Sequence, residues 1–175
     1  RAAKPSHHGQ PLSSNVSRHT EPRSMSAYRI EDLTQADLVP VVRMWRESFE
    51  YGVGIVDPHP IEEQISYFDR DIRTRNKVRV VRESDHILGF MASRPESVTQ
   101  LHVRVGHHRR GIGRLLLNLA KEESDGTLWL FTFARNTNAC TFYESQGFRV
   151  VQRGVEPTWQ LEDVKYAWSR AASAV

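Results

Sequence analysis

The sequence predicts a mixed α/β domain, and three stretches carry that expectation. In the first, Leu101, Val103 and Val105 alternate with His102 and Arg104, the period-two signature of a strand. Just beyond, Ile112, Leu115, Leu116, Leu119 and Ala120 recur at spacings of three and four, one apolar helical face. The second stretch, LWLFTF at 128–133, is apolar on both faces, as a central strand is. The third, from Leu38 to Phe49, places Leu38, Val41, Val42, Trp45 and Phe49 on one helical stripe.

The remaining elements follow in chain order. A short strand begins at Tyr28, and Asp37 is expected to cap the helix after it, with Pro40 in the permitted first turn. Pro60 then opens a second amphipathic helix whose apolar face is Ile61, Ile65, Phe68 and Ile72. Strands are expected at Lys77–Arg82 and His86–Ser93, joined by a polar turn at Glu83–Asp85. After the strand at 128–133, a polar break from Arg135 to Asn138 leads into a short helix. Asn136 or Asn138 can cap it, and Gly147 suits the left-handed residue that ends it. Two last strands are expected near Arg149–Gly154 and Leu161–Ser169. The exposed end of the second, with Tyr166 and Trp168, offers an edge for a homodimer.

Length and charge bound the function. A chain of 175 residues can bury a full core without disulfides or metal, and its one cysteine, Cys140, excludes an internal disulfide and a Cys-x-x-Cys site. No metal site is expected. No apolar run approaches the roughly 18 residues of a membrane span, so a cytoplasmic location without membrane contact is the expectation. The isoelectric point of 9.2 invites a nucleic-acid reading. The excess charge of +3 lies wholly within residues 1–24, where Arg1, Lys4, Arg18 and Arg23 face only Glu21. A charge-balanced body argues against a nucleic-acid face. The tail 1–24 is read as flexible and basic, Met25 as a natural start, and 25–175 as one domain. His7 and His8 within that tail are poor evidence for metal.

The joint between strand and helix at 101–113 carries chemistry. Gly111 and Gly113 have no Cβ to keep a ligand off the backbone, so N–H groups at the helix start can point into an anion. Arg109, Arg110 and Arg114 add positive charge there. The turn lacks the Gly-Lys-Ser/Thr ending of a nucleoside-triphosphate loop, which disfavours nucleotide hydrolysis.

Together these segments resemble the GNAT superfamily of acyl-CoA-dependent N-acetyltransferases. One family motif is matched by Leu101-x-Val103 followed by His108-x-x-Gly111-x-Gly113, where the family usually has Gln or Arg in place of His108. The other is matched by Asn136-x-x-Ala139-x-x-Phe142-Tyr143-Glu144-x-x-Gly147-Phe148. The resemblance implies a mixed, mostly antiparallel central sheet flanked by helices on both sides, with acetyl-CoA as cofactor. It assigns the Val103 N–H to the acetyl carbonyl and Val105 to the pantetheine arm. Leu101 belongs to the same strand motif. His108, Arg109, Arg110, Gly111, Ile112, Gly113 and Arg114 fall to the pyrophosphate turn, Asn136 to the cofactor, and Tyr143 to protonation of the departing thiolate.

The general base is not identified by motif. His102 is the first candidate, on the motif strand with a suitable intrinsic pKa. Glu50, Glu62 and Glu63 belong to the helical region that lines the acceptor site in the resembled family. His59, at the mouth of the second helix, and Trp159, with Glu162 and Asp163, are candidate acceptor contacts. The expected activity is acetyl transfer to the amine of a small molecule by direct attack in a ternary complex. The alternatives are acylation of a protein N-terminus or lysine, and a non-catalytic CoA-binding module.

Overall fold

Among the described residues, seven strands form one sheet in the order β1-β2-β3-β4-β5-β7-β6. The computed structural model describes residues 28–171; the basic tail 1–24, with Met25, His7 and His8, lies outside the described residues. The strands are β1 (Arg29–Asp32), β2 (Lys77–Glu83), β3 (His86–Arg94), β4 (Ser97–Val103), β5 (Thr127–Phe133), β6 (Arg149–Glu156) and β7 (Leu161–Ser169). Every neighbouring pair is antiparallel except β4 with β5. The helices are α1 (Leu38–Val53), α2 (Ile61–Tyr67), α3 (Arg73–Arg75), α4 (Ile112–Glu123) and α5 (Thr137–Ser145). A π turn at Phe68–Ile72 joins α2 to α3.

The sheet separates two apolar cores. On one face, α1 and the π turn bury Leu38, Val41, Val42, Met44, Phe68 and Ile72 against Val80, Ile87 and Phe90. On the other, α4 and α5 bury Ile112, Leu116, Leu117 and Tyr143 against Met91, Val103, Leu128 and Tyr166. Burial of a side chain of this size contributes roughly 1.5–3 kcal/mol, so both faces need their helices. Helices on both sides of a mostly antiparallel sheet are the architecture expected from the sequence.

The one parallel pair sets the shape of the site. β4 and β5 register at a single position, Ser97 with Trp129, and then diverge toward Val103 and Phe133. A bulge at Thr99, where the β3 register shifts between Ala92 and Ser93, lies just beyond that point. Its hydroxyl lies 2.9 Å from Asn76 Oδ1 and 3.1 Å from the Ala92 carbonyl, which pins the bulge.

Three expectations are corrected. The strand at 101–105 starts earlier, at Ser97, and stops at Val103, leaving Val105 exposed in the following turn. Its apolar alternation outlasts its pairing. Asp37 does not cap α1 with its side chain, because a 3₁₀ turn at Gln35–Asp37 leads into the helix. The carboxylate instead accepts from the Thr34 amide and hydroxyl at 2.9 and 2.8 Å, and from Arg82. These bonds hold it below the usual carboxylate range despite burial. Finally, β7 is no edge; it is paired on both sides, and β1 and β6 are the sheet edges.

α1 and the N-terminal cap of α5 meet at Gly52. The Asn136 side chain caps α5 by accepting from the Ala139 amide at 3.2 Å. A Cβ placed on Gly52 of α1 would come within 2.6 Å of Asn136 Nδ2. Glycine at 52 therefore lets the two helices approach. Gly52→Ala should cost about 1–2 kcal/mol by displacing that cap, but in an Asn136→Ala background the same change should stabilise by about 0.5 kcal/mol through helix propensity. Urea titration of the four proteins checks the reversal of sign.

Candidate active site

One open cleft of about 1850 Å³ runs between α1, α2, the splayed ends of β4 and β5, and the start of α4. That is well beyond the ~300–1,000 Å³ of a drug-sized pocket. Of the residues singled out in the sequence, it brings together Leu101, His102, Val103, His108, Arg109, Gly111, Ile112, Gly113, Arg114, Asn136, Tyr143, His59 and Trp159. It does not include Val105, Arg110 or Glu50.

The β4 edge offers a free backbone. The Arg104 N–H donates to the Leu88 carbonyl of β3 at 2.8 Å. Antiparallel pairing alternates, so the amides of Leu101 and Val103 point the opposite way, into the gap where β5 has departed. An extended chain of amides can pair there as an added strand would.

At the end of that edge the chain turns through three left-handed residues, Gly106, Arg109 and Gly111, and enters α4. No side chain caps α4, whose first intrahelical bond is Leu115 N–H to the Gly111 carbonyl. The N–H groups of Ile112, Gly113 and Arg114 thus lack intrahelical partners at the positive end of the helix dipole. A Cβ on Gly111 would meet nothing within 4 Å, so the backbone there is open to an anion. Gly113 serves another purpose: its missing Cβ leaves room for the Phe142 ring, 3.2 Å from that position. The His108 ring stacks on Tyr51 of α1 at 5.6 Å, and burial with the nearby His107 lowers its pKa. It ties the turn to α1 by ring contact.

Tyr143 lies across the cleft from β4, 6% exposed, packed by Phe142, Phe148 and Tyr166 at centroid distances of 5.3, 5.9 and 6.0 Å. It is both a core residue and a cleft residue. Burial pushes its phenol well above the ordinary range, and the neighbouring Cys140 adds to the shift. The hydroxyl stays protonated at any physiological pH.

His102 is a poor base here. Its Nδ1 lies 3.2 Å from the Ser48 hydroxyl and its Nε2 3.0 Å from Gln100 Oε1, so both nitrogens are engaged. The ring stacks on Phe90 at 5.5 Å, and burial lowers its pKa to about 4. Glu50 is also committed elsewhere: its Oε1 accepts from Arg46 Nε at 3.2 Å and from the Asp57 amide at 2.9 Å. Glu162 pairs with Arg153 at 2.9 Å on the exposed side of β7 and does not line the cleft. Glu62 and Glu63 do line it, from the first turn of α2.

Several cleft residues were not singled out in the sequence. Trp45 and Phe49, read as core, also wall the cleft: Trp45, partly buried against the α1 core, meets Tyr67 and His102 at 6.4 Å each, and Phe49 meets Phe133 at 6.1 Å and Trp159 at 5.2 Å. Asp57, 7% exposed, accepts from the His59 amide at 2.9 Å, from His59 Nδ1 at 2.7 Å and from Gln64 Nε2. Its loop carries no periodicity that would have marked it in the sequence.

Comparison with known proteins agrees with this geometry. Residues 38–148 match the Acetyltransferase (GNAT) family, and the chain belongs to that family. It is an N-acetyltransferase with acetyl-CoA as its acetyl donor. It is 26% identical over 141 residues to the Escherichia coli peptidyl-lysine N-acetyltransferase YiaC, covering 79% of this chain and 92% of YiaC. Its fold is similar to that of apo YjaB from Escherichia coli, with a TM-score of 0.68 at 20% identity over 82% of this chain and 99% of YjaB. It is also similar to the putative acetyltransferase YncA of Salmonella typhimurium, solved with acetyl-CoA, with a TM-score of 0.59 at 16% identity over 85% and 97% of the two chains.

The neutral His102 predicts an acid instability. Its folded pKa of about 4 lies below the ordinary 6.5, so its stabilising contribution is complete above pH 6.5 and is lost as pH falls toward 4. The loss should reach about 3 kcal/mol. Unfolding free energies at pH 7 and 4.5 should differ by less in His102→Gln than in the unaltered protein.

Proposed function

We propose that the protein transfers the acetyl group of acetyl-CoA to a primary amine of a small molecule, by direct attack within a ternary complex. The observation that carries this reading is the continuity of the cleft. The α4 N-terminus, the free β4 edge, Tyr143 and the aromatic wall of Trp45, Phe49, His59 and Trp159 border one volume. Donor and acceptor can therefore meet without a covalent enzyme intermediate. Cys140, the one thiol, supports that route: its sulfur faces the Phe133 and Ala134 carbonyls at 3.9 and 4.0 Å and does not line the cleft.

The residue roles follow from position. The N–H groups of Ile112, Gly113 and Arg114, with Gly111 open beside them and Arg109 at the rim, suit a pyrophosphate. The Leu101 and Val103 amides suit the pantetheine and the acetyl carbonyl, where an N–H donor stabilises the developing oxyanion. Acetyl-CoA supplies an activated thioester carbonyl. Tyr143 supplies the proton for the sulfur. Asn136 shapes the floor by capping α5, within reach of the cofactor side of the cleft.

At the acceptor end, aromatic faces alternate with Glu62, Glu63, Glu156 and Asp163, a wall that attracts an alkylammonium. A second reading, transfer to a lysine side chain of a protein, is favoured by the similarity to YiaC, which acts on peptidyl-lysine. Among the described residues no helix is long and apolar enough to cross a membrane. The unpaired, half-buried Cys140 suits a cytoplasmic setting. A homodimer would use β6, the edge strand on which Val151 and Val155 are exposed.

Acetyl-CoA should bind with micromolar affinity by calorimetry, and thiol release should then require an amine. Diamines and aminoglycosides outpacing lysine peptides supports the small-molecule reading; the reverse order supports the second. Tyr143→Phe should lower kcat by about 100-fold or more while leaving cofactor affinity within about threefold, as stopped-assay kinetics and calorimetry together would read.

A further inference from the structure

An amine acceptor enters the cleft as an ammonium, because alkyl amines have pKa values near 10, and it must lose a proton before it can attack. We propose that His59 takes that proton through Nε2 and that the buried carboxylate of Asp57 positions it; this rests on the acetyl-transfer reading above. Asp57 Oδ1 lies 2.7 Å from His59 Nδ1 and 2.9 Å from the His59 amide N–H, while Gln64 donates to Oδ2. Both carboxylate oxygens are therefore committed, and the carboxylate, 7% exposed, has no freedom to turn. An Nδ1–H directed at a carboxylate leaves the lone pair on Nε2.

The surroundings hold that ring at the acceptor wall. Arg46 donates to the His59 carbonyl at 2.7 Å and to the Asp57 carbonyl, so one guanidinium grips the loop at two points. Glu50 clamps it from the other side through the Asp57 amide at 2.9 Å and fixes Arg46 at 3.2 Å. The imidazole lies edge-on to Trp159 at 5.8 Å, and its side chain remains 48% exposed in the cleft. Charged groups on the neighbouring elements that line the same cleft are Glu62 and Glu63 on α2, Asp163 on β7, and Glu156, which accepts from the Trp159 amide at 2.7 Å. The contrast with His102 is complete, since that imidazole has both nitrogens occupied and a depressed pKa.

The proton balance closes with these groups. His59 Nε2 accepts one proton of the ammonium, and the freed nitrogen lone pair forms the bond to the acetyl carbon. The carbon–sulfur bond breaks with its electron pair on sulfur, and Tyr143 gives sulfur its proton. The nitrogen sheds its second proton as the amide forms, restoring the Tyr143 hydroxyl through solvent. The proton on His59 is the net proton released.

The test is the pH dependence of kcat/KM for an alkylamine acceptor, measured on the unaltered protein, His59→Gln and His59→Ala. His59→Gln should lose about 100-fold at pH 7 and keep its acetyl-CoA affinity. Its rate should then rise with unit slope up to the amine's own pKa, a dependence that the unaltered protein should not share. Added imidazole should restore His59→Ala at least tenfold. Nitrogen-15 spectra of the unaltered protein should place the His59 proton on Nδ1, a readout that needs no variant. Unchanged pH profiles in both variants, or the proton on Nε2, would overturn the proposal while leaving the acetyl-transfer reading intact. Absence of amine-dependent thiol release in the unaltered protein would overturn both.

Discussion

The divergence of β4 from β5 is the constraint on which the rest of the structure depends. Two parallel neighbours in a sheet normally pair along their length, and here they meet at Ser97 and Trp129 alone. What compensates is pairing elsewhere: β4 keeps its ladder to β3, and all seven residues of β5 pair with β7. Each strand is anchored on its far side, so the gap between them can stay open. Unpaired backbone amides in an apolar setting are costly, which is why such an edge is suited to receive amides from a ligand.

The helices respond to the same gap. α4 starts at its mouth, so the uncapped N–H groups, a liability at a buried helix end, face the place where an anion can satisfy them. α5 lies under the other side, and its packing accounts for two sequence features of otherwise obscure purpose. Gly113 makes room for Phe142, and Gly52 makes room for the Asn136 cap. Tyr143 gains from that packing a high proton affinity, because the surroundings that bury its ring disfavour the phenolate. Fold stability and that high proton affinity rest on the same apolar contacts there.

Much of this was legible in the sequence, for identifiable reasons. Residues 101–120 and 136–148 encode local events, a strand, a turn with obligatory left-handed residues and two helix starts, and those depend on neighbours in sequence. Gly147 at φ +85° and the Asn136 cap stand as expected. What was not legible depends on partners far along the chain. Trp45 and Phe49 lie on the apolar stripe of α1, but the sheet beneath that end of the helix has opened, so they wall a cleft where a complete sheet would have buried them. Asp57 is buried only because Arg46, Gln64 and Glu50 converge on its loop. The alternation that suggested a strand through Val105 is real as a pattern, yet pairing ends two residues earlier. His102 is positioned well for chemistry and disabled by burial, a distinction that no spacing encodes.

The central claim is that the gap between β4 and β5, together with the start of α4, receives the cofactor's backbone-like arm and its phosphates. Amide-resolved hydrogen exchange with and without CoA tests it most directly. The structure predicts new protection at Leu101 and Val103 on the β4 edge and at Ile112, Gly113 and Arg114 on α4, with the β6 edge unchanged. Protection appearing elsewhere, or those five amides exchanging as fast with CoA as without it, would contradict the account.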